Sequence, residues 1–106
     1  MKNILILIIL LFSLNLFSQE PTLLYMNSSW NHKNDYKYLS SIKNVKILRV
    51  DYDSQPKKFK DKIKSVPAII LFDKNKKLKK IWQAGISMKL IVDPKEVQLV
   101  VNSLIK

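Results

Sequence analysis

The chain contains no cysteine, one histidine and one glycine in its 106 residues. Without a thiol it can form no disulfide, no thiolate nucleophile and no cysteine-ligated metal site. The single His32 excludes a histidine-cluster metal site and disfavours a Ser-His-Asp triad. The single Gly85 leaves no glycine-rich loop that would cradle a phosphate group. We therefore expect no cofactor, no metal ion and no catalytic residue of these kinds. The length indicates one domain.

Acidic residues are also scarce, because 8 Asp and Glu stand against 19 Lys and Arg, for a formal net charge of +11. We expect the many lysines to form a solvated surface. The alternative is a surface that docks on an anionic envelope polymer or lipid. Nucleic acid is the least favoured anionic partner, because interleaved aromatic residues and arginines are missing from the lysine-rich stretches. Two blocks carry many of the lysines: Lys57, Lys58, Lys60, Lys62 and Lys64, and Lys74, Lys76, Lys77, Lys79 and Lys80.

The first 18 residues have the layout of a secretory signal peptide. A positively charged start precedes the unbroken apolar run Ile4–Phe12, and Ser18 is a small residue at a cleavage point. The run is shorter than the roughly 20 apolar residues that a transmembrane helix needs. An uncleaved N-terminal anchor is the alternative, because Leu16 stands where a small residue is usual. We expect residues 19–106 to form the mature domain, periplasmic or secreted.

Apolar runs and helix-spaced residues alternate along the mature chain. Short runs rich in Leu, Ile, Val and Tyr predict buried strands, and apolar residues three or four apart predict one-sided helices. Asp93-Pro94-Lys95-Glu96 is typical of a helix start, with an N-cap, an early proline and a glutamate three residues on. The predicted order is β-α-β-α-β-β-α, an α/β fold with a mixed four-stranded sheet covered by helices. The predicted strands are 22–26, 45–50, 68–72 and 77–84, and the predicted helices are 33–43, 56–64 and one that begins at Asp93–Pro94.

This order carries motifs of a known family. An apolar strand leads into Trp30-Asn31-His32-Lys33-Asn34, Ser65-Val66-Pro67 precedes the apolar strand 68–72, and Ala84-Gly85 ends the last strand. The chain in these respects resembles the thioredoxin superfamily, whose strand leads into Trp-Cys-x-x-Cys and whose Val-Pro precedes a strand. The resemblance spans about residues 22–106. It implies a thioredoxin-like fold with a cis proline at Pro67.

The departures from the family pattern bear directly on chemistry. Both cysteine positions are asparagine, at Asn31 and Asn34, and Tyr25 stands where the family keeps a buried acid. An amide cannot attack sulfur or form a mixed disulfide, so the sequence excludes disulfide oxidoreductase activity. We interpret the chain as a non-enzyme.

The resemblance leaves binding of a protein or an extended peptide as the leading hypothesis. In the family, the backbone before the cis proline pairs with a peptide and needs no thiol, so Trp30, Val66 and Pro67 are the expected contact residues. The positions around them, Asn31, His32, Lys33 and Asn34, form the degenerate active-site loop.

Each of these residues also has a structural interpretation. Asn31 is also suited to be the N-cap of a following helix. Pro67 is also a structural part of the turn that the fold makes at this point. Trp30 is a contact anchor or a packing residue. His32 is an exposed loop residue, or a base working with Asp35.

Overall fold

The computed structural model describes residues 20–105, which form one mixed four-stranded sheet with helices on its two faces. The predicted signal peptide, residues 1–18, lies outside the described residues. The strands are β1 (Thr22–Asn27), β2 (Lys46–Asp51), β3 (Ala68–Phe72) and β4 (Leu78–Gln83); the α-helices are α1 (Lys57–Lys60) and α2 (Pro94–Ser103), and 3₁₀ helices span Ser29–Asn34, Leu39–Ser41 and Tyr52–Ser54.

The strand order across the sheet is β2-β1-β3-β4. β1 runs parallel to β2 and antiparallel to β3, and β4 is antiparallel to β3. The central strands β1 and β3 are buried along their whole length, which explains why their sequences are continuous apolar runs. Lysine-rich β4 lies at an edge, as predicted, where charged side chains discourage pairing with another chain. The predicted α/β fold class with a mixed four-stranded sheet is confirmed, and the Val66–Pro67 peptide is cis.

Alternate residues of the central strands point to opposite faces of the sheet and build two cores. On one face, Leu23 and Tyr25 of β1 pack with Val97 and Val101 of α2. On the other face, a second cluster is closed by Ile63 and contains Leu24, Met26, Val66, Ala68, Ile70 and Phe72. Because β1 and β3 contribute to both clusters, the loops that follow these strands are anchored on both sides.

Helix α2 begins as the sequence predicts, with the Asp93 side chain accepting a hydrogen bond from the Lys95 N–H at 2.9 Å. The carboxylate of Glu96 instead accepts the indole N–H of the buried Trp82 at 2.6 Å. This contact fixes the start of α2 on the edge strand β4.

The predicted helix over 33–43 is wrong, because the chain forms two short 3₁₀ helices there instead. Asn, Asp and Ser are abundant in this stretch and compete with helical hydrogen bonding. Asp35 adopts an extended ψ of 144°, and the Tyr36 N–H donates to the Tyr25 hydroxyl at 2.8 Å rather than to a helical carbonyl. Tyr36, Leu39 and Ile42 still face the core, because a spacing of three also suits a 3₁₀ helix.

Candidate functional site

Asn31, at the first degenerate position, is the centre of a hydrogen-bond cluster that joins three separate segments. Its side chain is 2% exposed. Its Nδ2 donates to the carbonyl of Met88 at 3.0 Å, to the Asn27 Oδ1 at 3.2 Å and to the carbonyl of Val66 at 3.3 Å. Two amide hydrogens thus serve three acceptors, which come from the end of β1, the cis-proline loop and the loop before α2.

The N-cap interpretation of Asn31 is wrong. The residue at the N-cap of the 3₁₀ helix is Ser28, and Asn31 lies inside the helix at a kink, with φ −108° and ψ 18°. The two asparagines of the degenerate motif also contact each other, because the Asn34 Nδ2 donates to the Asn31 Oδ1 at 2.7 Å. The two positions of the motif are therefore joined by a hydrogen bond between their side-chain amides.

The loop before α2 contributes a strained residue to this cluster. Met88 has φ +60°, in the left-handed region that a non-glycine residue enters at a cost of order 1–3 kcal/mol. Its N–H donates to the carbonyl of Gly85 at 3.0 Å, and its own carbonyl accepts the Asn31 amide. The left-handed turn thus presents a carbonyl to the buried amide.

A second chain of hydrogen bonds runs from the core to the surface. The Tyr25 hydroxyl donates to Asp35 Oδ1 at 2.9 Å, and Asp35 Oδ2 lies 2.8 Å from the exposed His32 Nδ1. The Asn27 Nδ2 adds a bond of 2.6 Å to Asp35 Oδ1. The carboxylate of Asp35, which follows the 3₁₀ helix Ser29–Asn34, thus links the buried Tyr25 phenol to the exposed His32.

The electrostatics of this chain follow from burial and hydrogen bonding. Burial acts to raise the pKa of Asp35, but the bonds from Asn27 and Tyr25 and the nearby His32 outweigh it and hold this pKa below its ordinary value. Burial raises the pKa of the Tyr25 phenol, and the adjacent Asp35 raises it further. Asp35 is therefore ionised and Tyr25 protonated at neutral pH.

The predicted contact residues differ in their exposure. Trp30 is 62% exposed and precedes Asn31 directly in the chain. Val66 and Pro67 are buried, and the Val66 carbonyl already accepts the Asn31 amide. Ile86 is fully exposed and lies in the same loop as Met88, whose carbonyl accepts the Asn31 amide. Trp30 and Ile86 thus stand on two segments that meet at Asn31.

The cis-proline loop is held from its other side by the end of β4. The Ser65 hydroxyl donates to the Ala84 carbonyl, and the Ala84 N–H donates to the Pro67 carbonyl at 3.0 Å. Lys33, the remaining position of the degenerate motif, is exposed. Within residues 20–105, no three His, Asp or Glu side chains gather in a way that would hold a metal ion.

Sequence reasoning missed Asn27, Met88 and the Tyr25–Asp35 contact. Asn27 carries a local signal, since a polar residue at the end of an apolar strand four positions before Asn31 can reach a kinked turn. Met88 carries none, because nothing in the sequence around it predicts a left-handed backbone. The proximity of Asp35 to Tyr25 depends on the 3₁₀ helix that replaced the predicted α-helix.

The comparisons with known proteins give a likeness of fold only. No family model matches the chain, and no curated protein matches it. Among solved structures, thioredoxin O2 from Arabidopsis thaliana in its oxidized state is 18% identical, with 83% of this chain and 77% of that chain covered and a TM-score of 0.49.

Among residues 20–105, no helix has the length and apolar character required to cross a membrane.

Proposed function

We propose that this protein is an exported, non-catalytic binding module that holds an extended segment of a partner protein against Trp30 and Ile86. The observation that carries the proposal is the exposure of Trp30 beside a rigid, buried junction. Large aromatic residues are the commonest anchors of binding interfaces. A partner that covered Trp30 would gain apolar burial without having to order the loops beneath it, which lowers the cost of association.

The Asn31 cluster supports this proposal by holding the platform in one arrangement. Its amide links the cis-proline loop and the Met88 loop to the segment that carries Trp30. Because the Val66 carbonyl is already engaged, backbone pairing with a partner at Val66–Pro67 uses the second lone pair of that carbonyl. We therefore assign most of the binding free energy to Trp30 and Ile86, and a positioning role to Val66 and Pro67.

The export part of the proposal stands on the sequence of residues 1–18 and on the absence of cysteine. A chain with no thiol is indifferent to thiol–disulfide exchange in an oxidising compartment. It also lacks the nucleophile that disulfide exchange requires, so the likeness of fold brings no redox activity with it.

The lysine blocks favour a second candidate, docking on an anionic polymer or lipid. Among the described residues, Lys79 pairs with Asp73 at 3.6 Å, and Lys60 and Lys80 lie over the rings of Tyr52 and Trp82. Most of the remaining lysines of these blocks are exposed. Binding of this kind is screened by salt, with a Debye length of about 8 Å at physiological ionic strength.

Site-specific photocrosslinking in the cells that produce the protein tests the leading proposal. A photoreactive phenylalanine analogue is placed at position 86 in one variant and at position 99 in another. Leu99 is a matched control, because it is 69% exposed and lies on α2 rather than on the Trp30 platform. We expect a discrete crosslinked protein from position 86 alone. Equal crosslinking from both positions, or none from position 86, would overturn the proposal.

A further inference from the structure

A cleft of about 540 Å³ opens between the end of the β1–β2 pair and the 3₁₀ segments, and Asn27 of the Asn31 cluster is part of its lining. Tyr25, Tyr36 and Leu39 line its inner wall, and Arg49 and Asp51 of β2 line its outer wall. Its volume falls within the range of about 300–1,000 Å³ that is typical of small-molecule sites. The carboxyl ends of parallel strands, where this cleft lies, are the usual place for ligands in open α/β sheets.

The cleft borders the segment 33–43, in which 3₁₀ helices and a turn are present instead of the expected α-helix. Register pairs Tyr25 with Arg49 and Asn27 with Asp51, so Arg49 and Asp51 belong to the sheet face whose core is closed by Tyr36 and Leu39. The short 3₁₀ helices cover Tyr25 but leave Arg49 and Asp51 exposed. One face of the edge strand β2 is thus open to a ligand.

The charges in the cleft define what it accepts. Asp35 is occupied by Tyr25, Asn27 and His32. By contrast, neither Arg49 nor Asp51 takes part in an ion pair among the described residues, and Asp51 accepts only the Ser54 hydroxyl and, through its backbone carbonyl, the Gln55 side chain. Two residues apart on one strand, they are separated by about 7 Å along the wall. One cation and one anion beside apolar surface match a small zwitterion better than a simple anion or cation.

A buried hydroxyl in the same lining is an independent sign of an incomplete site. The Ser28 Oγ is buried, and within residues 20–105 it has no hydrogen-bond partner. Buried polar groups without a partner are rare in folded proteins and often mark a site that a bound molecule completes. Ser28 lines the cleft beside Asn27 and Ser29.

We propose that this cleft binds a free amino acid with an apolar side chain, its carboxylate on Arg49, its ammonium on Asp51 and its side chain against Tyr36 and Leu39. The lining of this site includes neither Trp30 nor Ile86, and the proposal does not depend on the function proposed for those two residues. An Arg guanidinium suits a carboxylate because it donates two parallel hydrogen bonds.

Titration of the purified domain with L-leucine and L-phenylalanine, followed by amide chemical shifts, tests the proposal. We expect saturable shifts that cluster at residues 25–29, 35–39 and 49–51. N-acetyl-L-leucine lacks the ammonium group and L-leucinamide lacks the carboxylate. Each is expected to bind about tenfold more weakly than L-leucine, because each loses a charged hydrogen bond.

Variants separate this site from nonspecific binding. Arg49→Gln and Asp51→Asn are each expected to weaken L-leucine by about tenfold or more. Lys46→Gln, on the same strand but the opposite sheet face, is the matched control and should bind as the parent does. The proposal is overturned if neither amino acid gives saturable shifts, if the derivatives bind as well as L-leucine, or if inorganic phosphate binds in its place.

Discussion

The side-chain amide of Asn31 donates a hydrogen bond at 3.3 Å to the carbonyl of Val66, 35 residues away along the chain. In the family that the sequence resembles, the first of these positions carries the nucleophilic cysteine and the second precedes the cis proline. In this protein, the neutral side-chain amide of Asn31 links the two positions by a hydrogen bond. The Asn31 side chain thus links the cis-proline loop to the segment that carries Trp30.

Replacing Asn31 is expected to destabilise the fold more than replacing any exposed residue of the same loop. Asn31→Ala leaves the carbonyls of Val66 and Met88 and the Asn27 side chain without their donor, at an expected cost of about 2–4 kcal/mol. Asn34→Ala removes one half-buried bond and should cost about 0.5–1.5 kcal/mol. Denaturant unfolding at neutral pH measures both values.

The Asn31→Asp variant tests whether the Asn31 side chain stabilises the protein by linking loops through its Nδ2 donor or by capping a helix. Aspartate is as good an N-cap as asparagine, but its carboxylate cannot donate to the three oxygens that surround Asn31. We therefore expect Asn31→Asp to be at least as unstable as Asn31→Ala. Parent-like stability of Asn31→Asp would show that the hydrogen bonds of Nδ2 contribute little.

Asp35 is expected to make the stability fall in acid. Its pKa in the folded protein lies below the ordinary value of 3.8, so the ionised carboxylate stabilises the fold above about pH 4. That contribution is lost as the pH falls through the folded-state pKa. Asp35→Asn keeps the shape of the side chain and removes the titrating group. The stability of this variant should therefore decline less than that of the parent as the pH falls below 4.

The acid experiment needs a control for net charge. Asp53→Asn removes the same charge from an exposed side chain in the 3₁₀ helix Tyr52–Ser54 and should follow the parent. Unfolding free energies measured at pH 7 and at several values below 4 give the comparison. Parallel curves for the parent and Asp35→Asn would refute the assigned role of Asp35.

Tyr36 is expected to make the stability fall in alkali. Burial, together with the nearby Asp93 carboxylate, raises its pKa from 10.0 to about 12. Below pH 10 the phenol is neutral in both states, but above it the unfolded chain ionises first, so the folded state loses stability between pH 10 and 12. Tyr36→Phe should lose about 1 kcal/mol at neutral pH with its bond to the Val92 carbonyl, yet decline less in that window.

Tyr38 provides the matched control for the alkaline experiment, because its ring packs edge-on against Tyr36 but is 57% exposed. Tyr38→Phe should keep the parent's alkaline decline. If the two variants declined identically, burial of the Tyr36 hydroxyl would not govern stability in this range.

The fold followed from the sequence wherever one local signal was strong. The apolar runs of β1 and β3 and the capping signal at Asp93-Pro94 predicted elements that the structure contains. The helix over 33–43 failed because a spacing of three in Tyr36, Leu39 and Ile42 fits both an α-helix face and 3₁₀ turns. Contacts between residues distant in sequence favour the 3₁₀ conformation, chiefly the hydrogen bond from the Tyr36 N–H to the Tyr25 hydroxyl.

The site was predictable in position but not in detail. The Trp30–Asn34 motif and Val66-Pro67 placed the correct loops side by side, as the bond between Asn31 and Val66 shows. That Asn31 is buried and Trp30 exposed could not be foreseen, because no local signal predicts the kink at Asn31 inside the 3₁₀ helix. The cleft beside Arg49 likewise borders the segment 33–43, in which the expected α-helix did not form.

The central claim is that Trp30 anchors a partner on a platform that has no redox role. Its most direct test is the equilibrium affinity of the crosslinked partner for the parent, Trp30→Ala and Leu99→Ala, at low and at high salt. We predict that Trp30→Ala weakens binding about tenfold or more at both salt concentrations, as expected for an anchor residue, while Leu99→Ala does not. Equal affinity of Trp30→Ala and the parent, with binding lost at high salt in all three proteins, would contradict the account and favour docking through the lysine blocks.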